Sequence, residues 1–318
     1  MIKITPNILV KSLDSDRLVL IQSTGEYDYR EIIPLKNNQT LLFCVDTDKL
    51  APIIGEGLID IIQESTKVTL KTEGSEYTLP IFRERGVLMV QPEIDLPQTP
   101  IKETWEDDFS EKIVNTKGTN LISQNHLLVT MGPDYIARVS NNIMEEYGKG
   151  QGLFSIFIKQ YTLLMKMGKV KVNYFESGEL QVIGENSEVR IRRTALFPNL
   201  VPIKSAVSQN SPLAVADLSK LKLKTLDKFI LEKIYIEVRN GAISFILENA
   251  RKTVEAPDIK LSSSITMMLN SSNLKYILGE ISIYPYKMGN KETHLIVSRN
   301  KEKTTYILAY PAPNTLVW

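Results

Sequence analysis

The side chains able to do covalent chemistry are few in this chain, and they lie far apart. The two histidines, His126 and His294, and the one cysteine, Cys44, show no metal-ligand spacing. No GxxxxGK[ST] or GxGxxG stretch offers a loop to cradle phosphate. Asp107–Asp108 and Glu145–Glu146 have the residue types of a general acid and base. Adjacent acids on a polar stretch, however, read as solvated surface. The expectation is a protein that is not an enzyme and that holds neither cofactor nor metal.

Size and charge narrow the class. At 318 residues and 43% hydrophobic content, the chain is too long for one ordinary core, so two or three domains are expected. Lys and Arg number 38 against 37 Asp and Glu, so only a local segregation of charge could serve a nucleic acid. A single cysteine forbids an internal disulfide and fits a reducing compartment. The opening MIKITPNILV is too short and polar for a signal peptide, and no apolar run reaches membrane-spanning length. These features together read as a soluble cytoplasmic protein.

What positions the remaining side chains is a repeat. Residues 41–81, 153–198 and 265–311 follow one plan. Each opens on a short apolar strand and continues into a compact helix: Leu50 to Ile62, Tyr161 to Met167, Leu274 to Leu278. Strands follow, at Lys67–Lys71, Lys169–Tyr174 and Ile281–Tyr286, and each segment closes near a proline: Pro80, Pro198, Pro311. The period of about 115 residues is that of one small domain written three times.

The stretches ahead of these segments match as well. Residues 16–35, 125–140 and 232–250 each read as strand, tight turn, strand. In the last, Ile234, Ile236 and Val238 alternate with Tyr235, Glu237 and Arg239, as a half-buried antiparallel strand requires. The turns at Ser23–Gly25, Gly132–Asp134 and Asn240–Gly241 carry residues that tolerate tight geometry. Helices are expected over 104–118, where Trp105, Phe109 and Ile113 are four apart, and over 211–230, where Leu218, Leu221 and Leu226 are near helical spacing. The first repeat offers only 7–16 in that place. Proline-punctuated joints at 91–103 and 198–212 set the boundaries: 1–97, 98–204 and 205–318.

Such units leave a strand edge free at each end of the chain. Pairing those edges with a second copy, head to tail, would close a six-unit ring.

The order and spacing of several short motifs resemble one family, the bacterial DNA polymerase III beta subunit or sliding clamp. LLVTMGPDYIARVS resembles its second-domain strand–turn–strand. ALFPNLVP resembles its F-P-[DN]-Y-x-x-[VL]-[IL]-P, MMLNSSNLKYILGEIS its F-N-x-x-Y-L-x-D-x-L, and YILAYPAP its closing Y-x-[VL]-M-P-[MV]-R. These matches span most of residues 104–313; the first third matches by pattern alone. A chain shorter than a typical clamp fits a divergent copy, such as a phage would encode.

The resemblance implies an α+β fold of three tandem clamp-type domains, with antiparallel sheets outside and helices inside, forming part of a ring. It implies a polymerase processivity factor that encircles duplex DNA without reading sequence, a homodimer served by a clamp loader. Inward-facing helices would bring Lys11, Lys112, Lys117, Lys159, Lys166, Lys220, Lys222 and Lys224 toward phosphates. A pocket for partner peptides would consist of Met131, Pro133, Ile136, Pro198, Ile203, Leu308 and Tyr310. Pro133 and Tyr310 depart from the family's usual Gly and Met. Two other readings fit the same repeat: a monomeric clamp-like adaptor for phage transcription or replication, and a phage structural or assembly protein.

Overall fold

A computed structural model describes residues 2–36, 39–111, 128–131, 136–139, 142–148, 154–192, 194, 200–218, 233–247, 250–277, 279–300 and 303–312. The chain divides into two compact units: residues 1–112 with 159–194, and residues 113–158 with 195–318. Every strand pairing among the described residues is antiparallel.

In the first unit, β1 (Asn7–Ser12), β2 (Arg17–Ser23) and β3 (Tyr27–Pro34) form a meander, and β4 (Leu42–Asp46) lies on the far side of β1. Gly25 takes φ +84° in the β2–β3 turn, a conformation that favours glycine. Asp46 caps α1 (Thr47–Gly55) by accepting from the amides of Asp48 and Lys49. A second meander follows: β5 (Leu58–Gln63), β6 (Lys67–Thr72) and β7 (Glu76–Pro80). The short hairpin β8 (Arg83–Glu84) and β9 (Val87–Leu88) comes next. Ile8, Val10, Leu18, Leu20 and Phe43 bury one sheet face against Leu50 and Ile53 of α1 and Val68 and Leu70 of β6. Strand β10 (Ile101–Asp108) ends the first run of this unit.

The second unit holds β11 (Leu128–Met131), β12 (Ile136–Val139), β13 (Ile143–Gly148) and β14 (Phe154–Phe157). The order repeats: a meander β11–β12–β13, with β14 on the far side of β11. Helix α2 (Ile158–Leu164) leads back into the first unit, to the meander β15 (Lys169–Phe175), β16 (Leu180–Ile183) and β17 (Ser187–Ile191), with β10 on the outer edge of β15. Tyr161 of α2 is fully buried, edge-on to Phe109 at 6.2 Å.

The rest of the second unit repeats the order again. Helix α3 (Val201–Gln209) and β18 (Ala214–Asp217) precede the meander β19 (Lys233–Arg239), β20 (Ala242–Leu247) and β21 (Ala250–Glu255). Then β22 (Ile265–Asn270) lies on β19, a 3-10 turn spans Ser271–Tyr276, and β23 (Glu280–Met288), β24 (Lys291–Arg299) and β25 (Thr304–Pro311) form the last meander, with β18 on β23. Ile234, Ile236 and Val238 are all buried, and Gly241 takes φ +70° in the β19–β20 turn, as their alternation and the Asn-Gly pair require.

Two further ladders extend these meanders. β17 pairs with β3, and β25 pairs with β13. The eight-stranded sheet of the first unit and the twelve-stranded sheet of the second result from these pairings.

Several expectations are corrected. Residues 101–108 are a strand, not the start of a helix over 104–118, because β10 is held by β15 along its length. The four-residue spacing of Trp105 and Phe109 spans a strand end and the 3-10 turn Phe109–Glu111. Residues 214–217 of the expected helix 211–230 are strand β18, with Ala214 and Ala216 buried in alternation; residues 219–230 lie outside the described set. The joint at 198–212 contains α3, with Pro202 in its first turn, where proline costs nothing. The helix expected to reach Ile62 ends at Gly55, and β5 takes over. Glu145 is not solvated surface: it is 0% exposed and ion-paired with Lys303.

Candidate functional site

The last strand answers why an apolar run should break on proline. Residues 304–307 of β25 pair with β13, whereas Tyr310 and Pro311 pair with β22. One edge of β25 thus changes partner between Ile307 and Tyr310. Asn142 bridges the change: its carbonyl accepts the Leu308 amide at 2.9 Å, and its Oδ1 accepts the Tyr310 hydroxyl at 2.9 Å. Pro311 has no N–H to donate, and the Ala312 amide makes the last bond to β22, to the Thr266 carbonyl at 3.3 Å.

Alternation puts Leu308 and Tyr310 on the same face as Tyr306. Helix α3 lies on that face. Its Ile203 packs with Tyr306 against Ala137, Met144 and Leu200, and also against Tyr284, Leu295 and Val297. Lys204 and the Tyr306 hydroxyl both bind Glu146, at 2.8 and 3.0 Å. Burial first, and then the charge and hydrogen bond of Glu146, raise the Tyr306 pKa far above its ordinary value, so the hydroxyl stays a donor. A groove of 470 Å³ continues along α3, between Pro202 and Ala206 on one side and Tyr286, Lys287, Thr293 and His294 on the other.

Of the seven residues expected in a peptide pocket, Ile203, Leu308 and Tyr310 therefore share one sheet face. Met131 and Ile136 are direct register partners on β11 and β12, and β13 separates β12 from β25. Pro133 and Pro198 lie outside the described residues. The groove beside α3 was not anticipated: Thr293 and His294 stand in the polar run Lys-Glu-Thr-His, which gives no apolar signal.

His294 sets a pH dependence. Burial lowers its pKa below the ordinary 6.5, and the opposing charge of Glu292 is the smaller effect. The unfolded chain therefore binds the proton first. Stability is full above about pH 6.5 and falls as pH drops through that value toward the folded pKa. Thermal melts between pH 7.5 and about 5 should show this loss, and His294→Gln should flatten it.

The lysines expected on inward helices fall into three groups. Lys159 on α2 and Lys166 just beyond it are exposed. Lys11 is on strand β1, not a helix, and its ammonium binds Glu93 at 2.8 Å. Lys112, Lys117, Lys220, Lys222 and Lys224 lie outside the described residues. Lys49, exposed on α1, was missed, although α1 occupies the same step of the repeat as α2. Among the described residues no group of side chains could hold a metal ion, and no helix is long and apolar enough to cross a membrane.

No protein-family model matches the sequence, and no curated protein matches it. Solved structures do match in three dimensions. The DNA polymerase III subunit beta of Pseudomonas aeruginosa superposes with a TM-score of 0.66 at 14% identity, covering 96% of this chain and 93% of that one. The subunit from Thermotoga maritima gives 0.64 at 13%, covering 98% and 93%. The Helicobacter pylori beta clamp bound to a DNA ligase peptide gives 0.60 at 12%, covering 96% and 92%.

The fold is that of a bacterial beta clamp.

In that fold's terms, the pairings β17–β3 and β25–β13 are two junctions built alike: the closing strand of one second-half meander against the closing strand of a first-half meander. At the first, Glu188 faces Arg30 and Arg190 faces Asp28, two pairs of opposite charge directly across the ladder.

Proposed function

We propose that this protein is a DNA sliding clamp. Two copies join head to tail in a ring around duplex DNA and tether a replicative polymerase to it, with no catalysis. The gain to the polymerase is effective concentration, since a linked enzyme rebinds its template before diffusing away.

One observation carries this reading: the accounting of closing strands. Three first-half meanders end in β3, β13 and β21, and three second-half meanders end in β7, β17 and β25. Among the described residues two pairs are made within the chain, and β7 and β21 are left over. Antiparallel pairing of β7 in one copy with β21 in the next repeats the junction twice more and closes a ring of six units. Under this reading the units are 1–97, 98–204 and 205–318. The middle unit divides between the two compact bodies because its two meanders extend its neighbours' sheets. β21 brings Arg251, Lys252 and Glu255, with Arg251 also paired to Glu237 of β19, and β7 brings Glu76, so the leftover strands carry net charges of opposite sign.

The exposed lysines Lys49, Lys159 and Lys166 support a sequence-independent phosphate contact; Lys112, Lys117, Lys220, Lys222 and Lys224 belong to the same proposed lining. A clamp loader would open one β7–β21 junction. Ile203, Leu308 and Tyr310, with Met131, Pro133, Ile136 and Pro198, form the proposed docking face for partner peptides. Leu308→Asp should weaken a polymerase tail peptide by at least about tenfold, measured by calorimetry, while leaving the oligomer unchanged. An unchanged affinity would remove that face from the reading.

Sedimentation equilibrium tests closure. The expected mass is that of two chains, reduced toward one by Arg251→Glu. A single-chain mass at every concentration would favour the monomeric adaptor instead.

A further inference from the structure

The second meander of each repeat opens on a strand with an outer edge. Two of these edges are filled: β10 lies on β15, and β18 lies on β23. No described strand lies on the outer edge of β5, the edge away from β6. By position in the repeat, a covering strand would come from residues ahead of β1, just as β10 precedes β11 and β18 precedes β19. Of these, residues 3–5 are engaged elsewhere. Gln22 Oε1 accepts the amides of Ile4 and Thr5 at 2.7 and 3.1 Å, and Lys3 is bonded to Asp48.

β5 is also the wrong composition for a solvent edge. Ile59 is 54% exposed and Ile62 37% exposed. Asp60 is its one charged residue, and its ion-pair partner, Lys71, is 3.8 Å away. Edge strands are usually blunted by lysine or proline, and β5 carries neither. A bulge between Leu58 and Asp60 breaks the start of the strand, and the register from Asp60 to Gln63 is regular. Along the edge, Gln39 Nε2 bonds the Ile61 carbonyl at 3.5 Å, the long end of the range, and at the last residue the Gln63 side chain binds the Leu42 amide and carbonyl at 2.8 and 3.1 Å.

We propose that the outer edge of β5 is a strand-addition site for a partner protein. The occupant is an extended segment at least as long as the four-residue β18, antiparallel to β5, with alternate apolar side chains and a basic residue opposite Asp60. Its backbone continues the three-stranded sheet β5–β6–β7. Asp60 and Ile62 share a face by alternation, so the basic residue and the side chain two positions before it cover that face, and the alternate apolar side chains lie on the other face, with Ile61. A second copy's β5 fits less well, because it brings another Asp60 and no cation. This site is independent of the clamp reading: it follows from the repeat and from the open edge alone.

Two synthetic peptides test it, Thr-Val-Lys-Val-Thr-Val and its Glu-for-Lys counterpart, with amide hydrogen exchange of the full chain as the readout. The lysine peptide should slow exchange at residues 58–63 and leave β7 unchanged. It should bind about fivefold more tightly than the glutamate peptide. Asp60→Lys should reverse that preference. Asp60 is exposed, so this variant should fold, and circular dichroism would verify that it does. Three outcomes would each overturn the proposal: no slowing at 58–63 with about 1 mM peptide, slowing at β7 or β21 instead, or a charge preference that Asp60→Lys leaves unchanged. Self-association of the free protein that Ile62→Lys abolishes would also overturn it, assigning the edge to a second copy.

Discussion

Asp28→Ala should lower the stability of the first compact unit by about 1–3 kcal/mol, the scale for leaving a buried donor without its acceptor. Asp28 is 0% exposed on β3. Its Oδ2 accepts the Ile94 amide at 2.6 Å and an Arg30 N–H at 3.2 Å. Arg30 and Arg190 in turn both donate to the Ile94 carbonyl at 3.0 Å. The segment 91–95 is thus strapped across the β3–β17 junction by side chains from both strands. Removing the carboxylate leaves the Ile94 amide without its acceptor, while Arg30 keeps the Ile94 carbonyl and Glu93, at 3.0 and 3.3 Å; domain stabilities total only about 5–15 kcal/mol. Urea denaturation read by tyrosine fluorescence would measure the loss. Hydrogen exchange should show residues 91–97 opening first.

The strap belongs to a longer polar row across the sheet. Thr104, Asn173, Gln181 and Glu188 are joined in sequence by hydrogen bonds of 2.7–3.0 Å, and Arg190 completes the row at Glu188. Burial pushes the Glu188 pKa up, but the hydrogen bonds from Arg190 and Gln181 and the nearby cations outweigh it and hold the carboxyl below its ordinary value. Its share of stability is therefore present above its unfolded pKa and fades as pH falls through the folded one.

The second large effect is expected at the other junction. Lys303, in the turn before β25, pairs with the fully buried Glu145 of β13, and its ammonium lies 5.6 and 5.9 Å from the rings of Tyr147 and Tyr276. Lys303→Met keeps the stem and removes the cation that pairs with this buried carboxylate. The expected loss is about 3–5 kcal/mol, the scale for breaking a buried ion pair from one side. The double variant Lys303→Met, Glu145→Gln should recover much of it, because no charge is then left buried. A double variant as unstable as the single one would show that packing, not charge, holds this junction.

The legible parts of the fold are those where side chains alternate against water. Ile234, Ile236 and Val238 announced β19, and Asn240–Gly241 announced its turn. The junctions were hidden because their inward residues are charged. Tyr27-Asp28-Tyr29-Arg30 reads as aromatic inside and charge outside, whereas the strap turns Asp28 and Arg30 into buried groups. Glu145 was misread for the same reason: the cation that neutralises it is distant in sequence. Helix α3 was hidden by Pro202, which marks a joint as readily as a first helical turn. In the candidate site, the proline break pointed to Leu308 and Tyr310, but the change of partner from β13 to β22 is a tertiary fact that no local pattern encodes.

Retention on closed circular duplex DNA is the most direct test of the central claim. Protein loaded onto a nicked circle should survive a wash at high salt, where phosphate contacts fail, and should be released when one restriction cut linearises the circle. Arg251→Glu should not be retained on either form. Equal salt-sensitive release from circle and line would contradict a ring closed through β7 and β21.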